Sequence, residues 1–98
     1  MAVPRVRSDR VPEIEGPSLS MCKRVGPHVY ISGQVAWDGD QNPLGGNSVY
    51  EQAKIVFGYI QALMEAAGGT ADDVMKIVMY TTDMRYQPDI WKARAEFF

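Results

Sequence analysis

The sequence predicts an α+β domain that works as an oligomer, and three observations carry that prediction. Two runs of alternating apolar and polar residues flank Gly26-Pro27. A helix with start and stop signals follows between Ser48 and Gly69. Beyond it, Val74–Thr82 is apolar at positions of both parities, as in a strand covered on both faces. Such a strand needs two covers, and a chain of 98 residues has material for one. The second cover is expected from further copies of the chain, with a working site between subunits.

This length is that of one domain, 1–98, with a small core. A hydrophobic content of 46% and a charged content of 22% exclude wholesale disorder. The net charge of -2 gives no general attraction to nucleic acid or to anionic membrane. No apolar run is long enough to cross a bilayer, and the N-terminus has no signal-peptide core. The single cysteine, Cys22, fits a reducing cytoplasm. With His28 the sole histidine, there is no His/Cys cluster for zinc.

The elements follow in order. Residues 1–16 mix Pro4, Pro12 and Gly16 with charges and read as an extended, weakly ordered lead-in. Its Arg5, Arg7 and Arg10, diluted by Asp9, Glu13 and Glu15, read as a solvated arm and not a phosphate-binding tail. Leu19, Met21 and Val25 alternate with Ser20, Cys22 and Arg24, although Lys23 breaks the apolar side. Gly26-Pro27 interrupts the ladder, because proline has no N–H to donate. Val29, Ile31, Gly33 and Val35 then alternate with Tyr30, Ser32 and Gln34, which makes the pair an antiparallel hairpin. Residues 38–47 form a Gly-, Asp- and Asn-rich loop.

Ser48-x-x-Glu51 is a capping box. Ala53, Val56, Phe57, Ile60, Leu63, Met64 and Ala67 recur at helical spacing, and Gly68-Gly69 ends the helix. Thr70 caps a short turn through Asp73, and the Val74–Thr82 strand comes next. Pro88 suits the first turn of a second helix, whose apolar positions are Ile90, Trp91, Ala95 and Phe98. Ending in Phe97-Phe98 without a C-cap or a polar tail points to a chain cut short.

Several segments then resemble one family in order and spacing. They are Tyr30-Ile31-Ser32-Gly33-Gln34, Glu51-Gln52-Ala53, Glu65-Ala66-Ala67-Gly68-Gly69 with Asp73-Val74-Met75-Lys76, Thr82-Asp83-Met84, and Ala95-Glu96-Phe97-Phe98. Together they are similar to the reactive-intermediate deaminases, the RidA or YjgF-like group once labelled endoribonuclease L-PSP. The resemblance implies a chorismate-mutase-like subunit, a mixed β-sheet with two helices on one face. It implies homotrimers with ligand clefts between neighbours. It also implies hydrolysis of enamines and imines to 2-keto acids and ammonia, without metal or organic cofactor. The family's carboxylate-clamping arginine and its water-positioning glutamate fall beyond the position of Phe98. A family aromatic falls at Leu19 and a family asparagine at Trp91, as expected of a divergent subfamily.

Ser32 is the family residue that carries over, as a hydroxyl orienting substrate or water. It is not a nucleophile, because no His–Asp pair accompanies it. Gly33 marks a close approach by a ligand or another backbone. Tyr30 offers a hydrogen bond or interface packing, Trp91 a wall of the cleft or helix packing, and Leu19 stands at the family's aromatic position. Cys22 reads as a buried hydrophobe, His28 as an exposed turn residue, Asp72 and Asp73 as helix-turn acids, and Gln52 as a structural link to the preceding loop. The first functional reading is an enamine/imine hydrolase. The alternatives are a non-catalytic trimer binding small metabolites or a partner protein, and an endoribonuclease, which the charge disfavours.

Overall fold

The computed structural model describes residues 4–13 and 20–98. Strands β1 (Cys22–Val25) and β2 (His28–Ile31) form an antiparallel pair, followed by helix α1 (Val49–Ala66) and helix α2 (Gln87–Phe97). Short 3-10 turns occupy Ala71–Asp73 and Met84–Tyr86. The α+β architecture matches the expectation. None of the helices is long and apolar enough to cross a membrane among the described residues.

The hairpin closes where Gly26-Pro27 predicted. Gly26 takes φ 57°, the left-handed start that a two-residue turn needs before proline fixes the next φ. Cys22 pairs with Ile31, Lys23 with Tyr30 and Arg24 with Val29. Direct partners share a face, so Cys22, Arg24, Val29 and Ile31 look one way and Lys23, Val25, His28 and Tyr30 the other. This reverses the expected polarity within Cys22–Val25, whereas Met21, just before the strand, is buried in the core as expected. Cys22 is 1% exposed and belongs to the core, while Val25 is exposed on the opposite face. Arg24 lies on the core side because its guanidinium has work there: Nη1 donates to the Ala67 carbonyl at 3.0 Å and Nε to Gly26 O at 2.9 Å. A cation thus satisfies a carbonyl at the negative end of α1.

The lead-in is better fastened than its composition suggests. Val6 N donates to Cys22 O at 2.9 Å and Arg5 bridges antiparallel to Lys23, which extends the hairpin on its β1 side. Val11 is buried in one cluster with Met21, Cys22, Ala62 and Leu63. Arg5 approaches Glu13, and Arg10 pairs with Glu65 of α1. The arm is therefore packed and ion-paired where it is described, and residues 1–3 and 14–19, Leu19 included, lie outside the described residues.

Helix α1 begins and ends as the sequence predicts. Ser48 Oγ accepts from Glu51 N at 3.2 Å. The reciprocal half of the box is replaced, since Ser48 N donates to Gly45 O at 3.1 Å. Gln52 Nε2 donates to Gly46 O at 2.7 Å and ties the loop to the helix. At the other end Gly68 (φ 95°) donates to Glu65 O at 3.0 Å and Gly69 to Met64 O at 2.8 Å, a Schellman closure. Thr70 N donates to Asp73 Oδ2 at 2.8 Å, so Asp73 serves the following turn.

The helix is sandwiched. Ala62 and Leu63 face the hairpin cluster, while Phe57 meets Phe97 at 6.1 Å and Phe98, edge-on, at 5.6 Å between ring centroids. The second helix packs on α1, and its end also lies beside the Val74–Met79 segment through Arg94 and Phe98. Its buried residue is Ala93, at 0% exposure. The expected apolar positions Trp91, Ala95 and Phe98 are exposed, and Ile90 is half-buried. The small Ala93 side chain lets the helix backbones approach.

The predicted third strand runs through Val74–Thr82 without a strand partner among the described residues. Met75 is 97% exposed and Tyr80 93%. Alternating β-formers make this backbone extended, but a strand is completed only by another backbone, and none of the described residues pairs with it.

Candidate functional site

The Ser32–Gly33 step leaves β2 just past its last paired residue. Ser32 N donates to Met21 O at 2.9 Å, which prolongs the ladder by one bond. Ser32 Oγ donates to the same carbonyl at 3.2 Å. The hydroxyl proton is thereby committed to the backbone, and the oxygen keeps its acceptor capacity for another donor. Ser32 is half-buried. Gly33 is exposed, and a Cβ built there would meet nothing within 4 Å. The close approach expected at Gly33 is made by none of the described residues.

Gln34 completes the local geometry. It was legible only as a polar-face residue, yet its Nε2 donates to Ser32 O at 3.1 Å and lies 3.5 Å from Met21 Sδ. Its Oε1 is buried without a hydrogen-bond partner among the described residues. The i, i+2 spacing from Ser32 to Gln34 was the available signal, since it places both on one strand face.

Tyr30 shares that face and is 63% exposed. Its ring centroid lies 6.5 Å from that of His28. Trp91 sits elsewhere, on an exposed face of α2 with the Arg94 guanidinium 5.1 Å from its ring centroid. No hydrogen bond or ring contact joins Trp91 to Ser32 among the described residues. The chain thus brings Tyr30, Ser32 and Gly33 together and leaves Trp91 apart, while Leu19 is outside the described residues.

Other polar clusters are structural. Asp38 Oδ1 accepts from Asp40 N at 2.8 Å and from Asn42 N at 3.2 Å, and Oδ2 accepts from the Asn42 side chain at 2.9 Å. The Asn42 amide, then these backbone donors, hold the Asp38 carboxyl below its ordinary range. The Tyr59 hydroxyl donates to Trp37 O and so fastens this loop to α1. Tyr50 donates to Glu96 at 2.7 Å, and that bond pushes its phenol up to about 12. Burial raises the Cys22 thiol, with a smaller contribution from Glu13. A protonated, buried thiol is a packing element and a poor nucleophile, as expected of Cys22. Among the described residues no three His, Cys, Asp or Glu side chains converge as a metal set would.

Comparison with known proteins agrees over the whole chain. The family profile described as endoribonuclease L-PSP matches residues 13–98. A RutC family protein of Pyrococcus abyssi is 28% identical over 98 residues, which cover 100% of this chain and 76% of the relative. A 2-iminobutanoate/2-iminopropanoate deaminase of Dermatophagoides farinae is 30% identical over 87 residues, covering 89% of this chain and 67% of the relative. The crystal structure of RidA from an Antarctic Psychrobacter superposes with a TM-score of 0.84 at 31% identity, over 97% of this chain and 76% of that one. The chain thus spans from two thirds to three quarters of the length of these proteins.

Proposed function

Because the chain belongs to the endoribonuclease L-PSP family, the RidA and YjgF-like group, we propose that it hydrolyses reactive enamine and imine derivatives of 2-amino acids to 2-keto acids and ammonia. The supporting observation is the Ser32–Gly33 step, a hydroxyl with its proton engaged by Met21 O beside an unfilled space. In this reading the Ser32 oxygen accepts a hydrogen bond from the substrate nitrogen or from the attacking water. Protonation of the enamine at carbon yields an iminium. Water adds to the iminium carbon, and the carbinolamine expels ammonia as its C–N bond breaks and the carbonyl forms. The electrophile is already activated, so the protein's share is orientation and charge placement. The deaminase relative at 30% identity supports the reaction class.

Tyr30 is assigned to substrate contact from the same face. Trp91 is assigned to the cleft wall, from a neighbouring copy in a homotrimer, and Leu19, at the family's aromatic position, is assigned to substrate binding by resemblance alone. The open hairpin face, with Tyr30 and Val25 exposed opposite the α1 side, supports such packing. The test is ammonia release from freshly generated 2-aminoacrylate and from 2-aminomuconate. Ser32→Ala is expected to lower kcat/KM by about ten-fold or more, the weight of one hydrogen bond to a charged group. No acceleration over buffer with either substrate overturns the reading. Keto-acid binding in a thermal-shift screen without turnover would move the assignment to a non-catalytic metabolite-binding protein.

A further inference from the structure

Ser32 is held at each of its polar groups. Its N–H and its hydroxyl both donate to Met21 O, at 2.9 and 3.2 Å. Its carbonyl accepts from Gln34 Nε2 at 3.1 Å, and the same nitrogen lies 3.5 Å from Met21 Sδ. A primary amide carries two N–H groups, one for each of these acceptors. Gln34 therefore closes a loop from Met21 through Ser32 and back to Met21. A peptide group is planar and stiff, so a clamp on Ser32 O also fixes the Gly33 N–H on the far side. Packing alone does not ask for glutamine here. Its Oε1 is buried without a hydrogen-bond partner among the described residues, a cost that an apolar side chain of similar length would avoid. What the amide adds is direction, since it fixes the backbone from which the Ser32 hydroxyl projects.

We propose that Gln34 is a positioning residue for the hydrolysis, acting through Ser32 by holding its hydroxyl oxygen toward the substrate nitrogen or the attacking water. The inference rests on the deaminase reading, because the oxygen being aimed is the one that reading uses. The contribution falls on the chemical step more than on binding. A hydrogen bond aimed a few tenths of an ångström wide is lost where the reacting atoms must align, while the rest of the substrate stays held.

The test compares wild type with Gln34→Met and Gln34→Glu for ammonia release from freshly generated 2-aminoacrylate, with Tm measured beside it. Gln34→Met keeps the length of the side chain and removes the unpaired oxygen. Tm is expected to hold or rise, while kcat falls about ten-fold and KM changes by about two-fold or less. Gln34→Glu sets a carboxylate, which cannot donate, against Ser32 O. Its protonated form can donate, so kcat relative to wild type should recover as pH falls through the titration of the new carboxyl, at temperatures where both proteins are folded. Absence of turnover by wild type overturns the deaminase reading and this inference together. Turnover by wild type with Gln34→Met within about two-fold of it in kcat overturns this inference alone. So does a loss of activity matched by a loss of Tm, or a Gln34→Glu to wild-type ratio that is flat with pH. If neither variant folds, wild type decides by NMR. The Gln34 side-chain amide signals should shift on saturation with a 2-keto acid, and unmoved signals overturn the inference.

Discussion

The Cys22–Ile31 hairpin and the Met75–Tyr80 run share the chemistry of strands, and they meet opposite fates. In the hairpin, two short segments find each other across Gly26-Pro27, the lead-in adds one bond each to Cys22 and Arg24, and α1 covers the inner face. In the run, the backbone has no hydrogen-bond partner among the described residues, and its side chains are exposed apart from the half-buried Ile77. The hairpin's segments are not more apolar than the run; they contain Lys23, Arg24 and His28. What separates the two is the availability of a partner backbone close in sequence. Side-chain character makes a segment extended, and pairing plus cover make it a strand.

Matched substitutions can break this comparison. Leu63→Ala removes a side chain at 0% exposure from under the hairpin and is expected to cost about 2–5 kcal/mol by chemical denaturation. Met75→Ala, at 97% exposure, should change stability by about 0.5 kcal/mol or less. Equal losses would mean that the run is covered in solution. Gly68→Ala tests the seam where Arg24 of β1 meets the end of α1. Alanine at φ 95° is strained, and a loss of about 1–2 kcal/mol is expected in the same assay. Ser48→Ala should cost about 1 kcal/mol, by removing the oxygen that accepts from Glu51 N.

The smallest effect concerns Tyr50 and Glu96, which join the first turn of α1 to the last turn of α2. The folded-state pKa of Tyr50 is raised from 10.0 to about 12, because its proton is needed for the bond to Glu96. The sign follows directly. This stabilising contribution is complete below pH 10 and disappears as pH rises toward about 12. Ultraviolet phenolate titration should show one tyrosine ionising well above the others, and Glu96→Gln should return it toward 10.0. A Tyr50 titration unchanged by that variant would mean the helix ends do not meet in solution.

The legible parts of this fold were those decided by neighbours in the chain. Ser48 and Gly68-Gly69 bound α1 because capping is a matter of a few adjacent residues. Gln52 was readable as a link to its own loop for the same reason. Ala62 and Ala93 were missed, because alanine carries little periodic signal and its burial depends on what comes close. The face of β1 was misread because Arg24 looks solvent-facing until Ala67 O is seen to need a donor. At the candidate site, Ser32 and Gly33 were readable from a motif. The Met21 carbonyl and the Gln34 amide that fix Ser32 emerged only with strand register.

By itself, the order of residues determined where the chain turns, where its helices start and stop, and which segments run extended, since each is governed by contacts a few positions apart. Tertiary structure alone decided which strand face became core, that α2 rests on α1, and that Met75–Tyr80 has no strand partner among the described residues. Those outcomes depend on surfaces brought together from distant parts of the chain, and a one-dimensional pattern records what a surface is made of without recording what it meets.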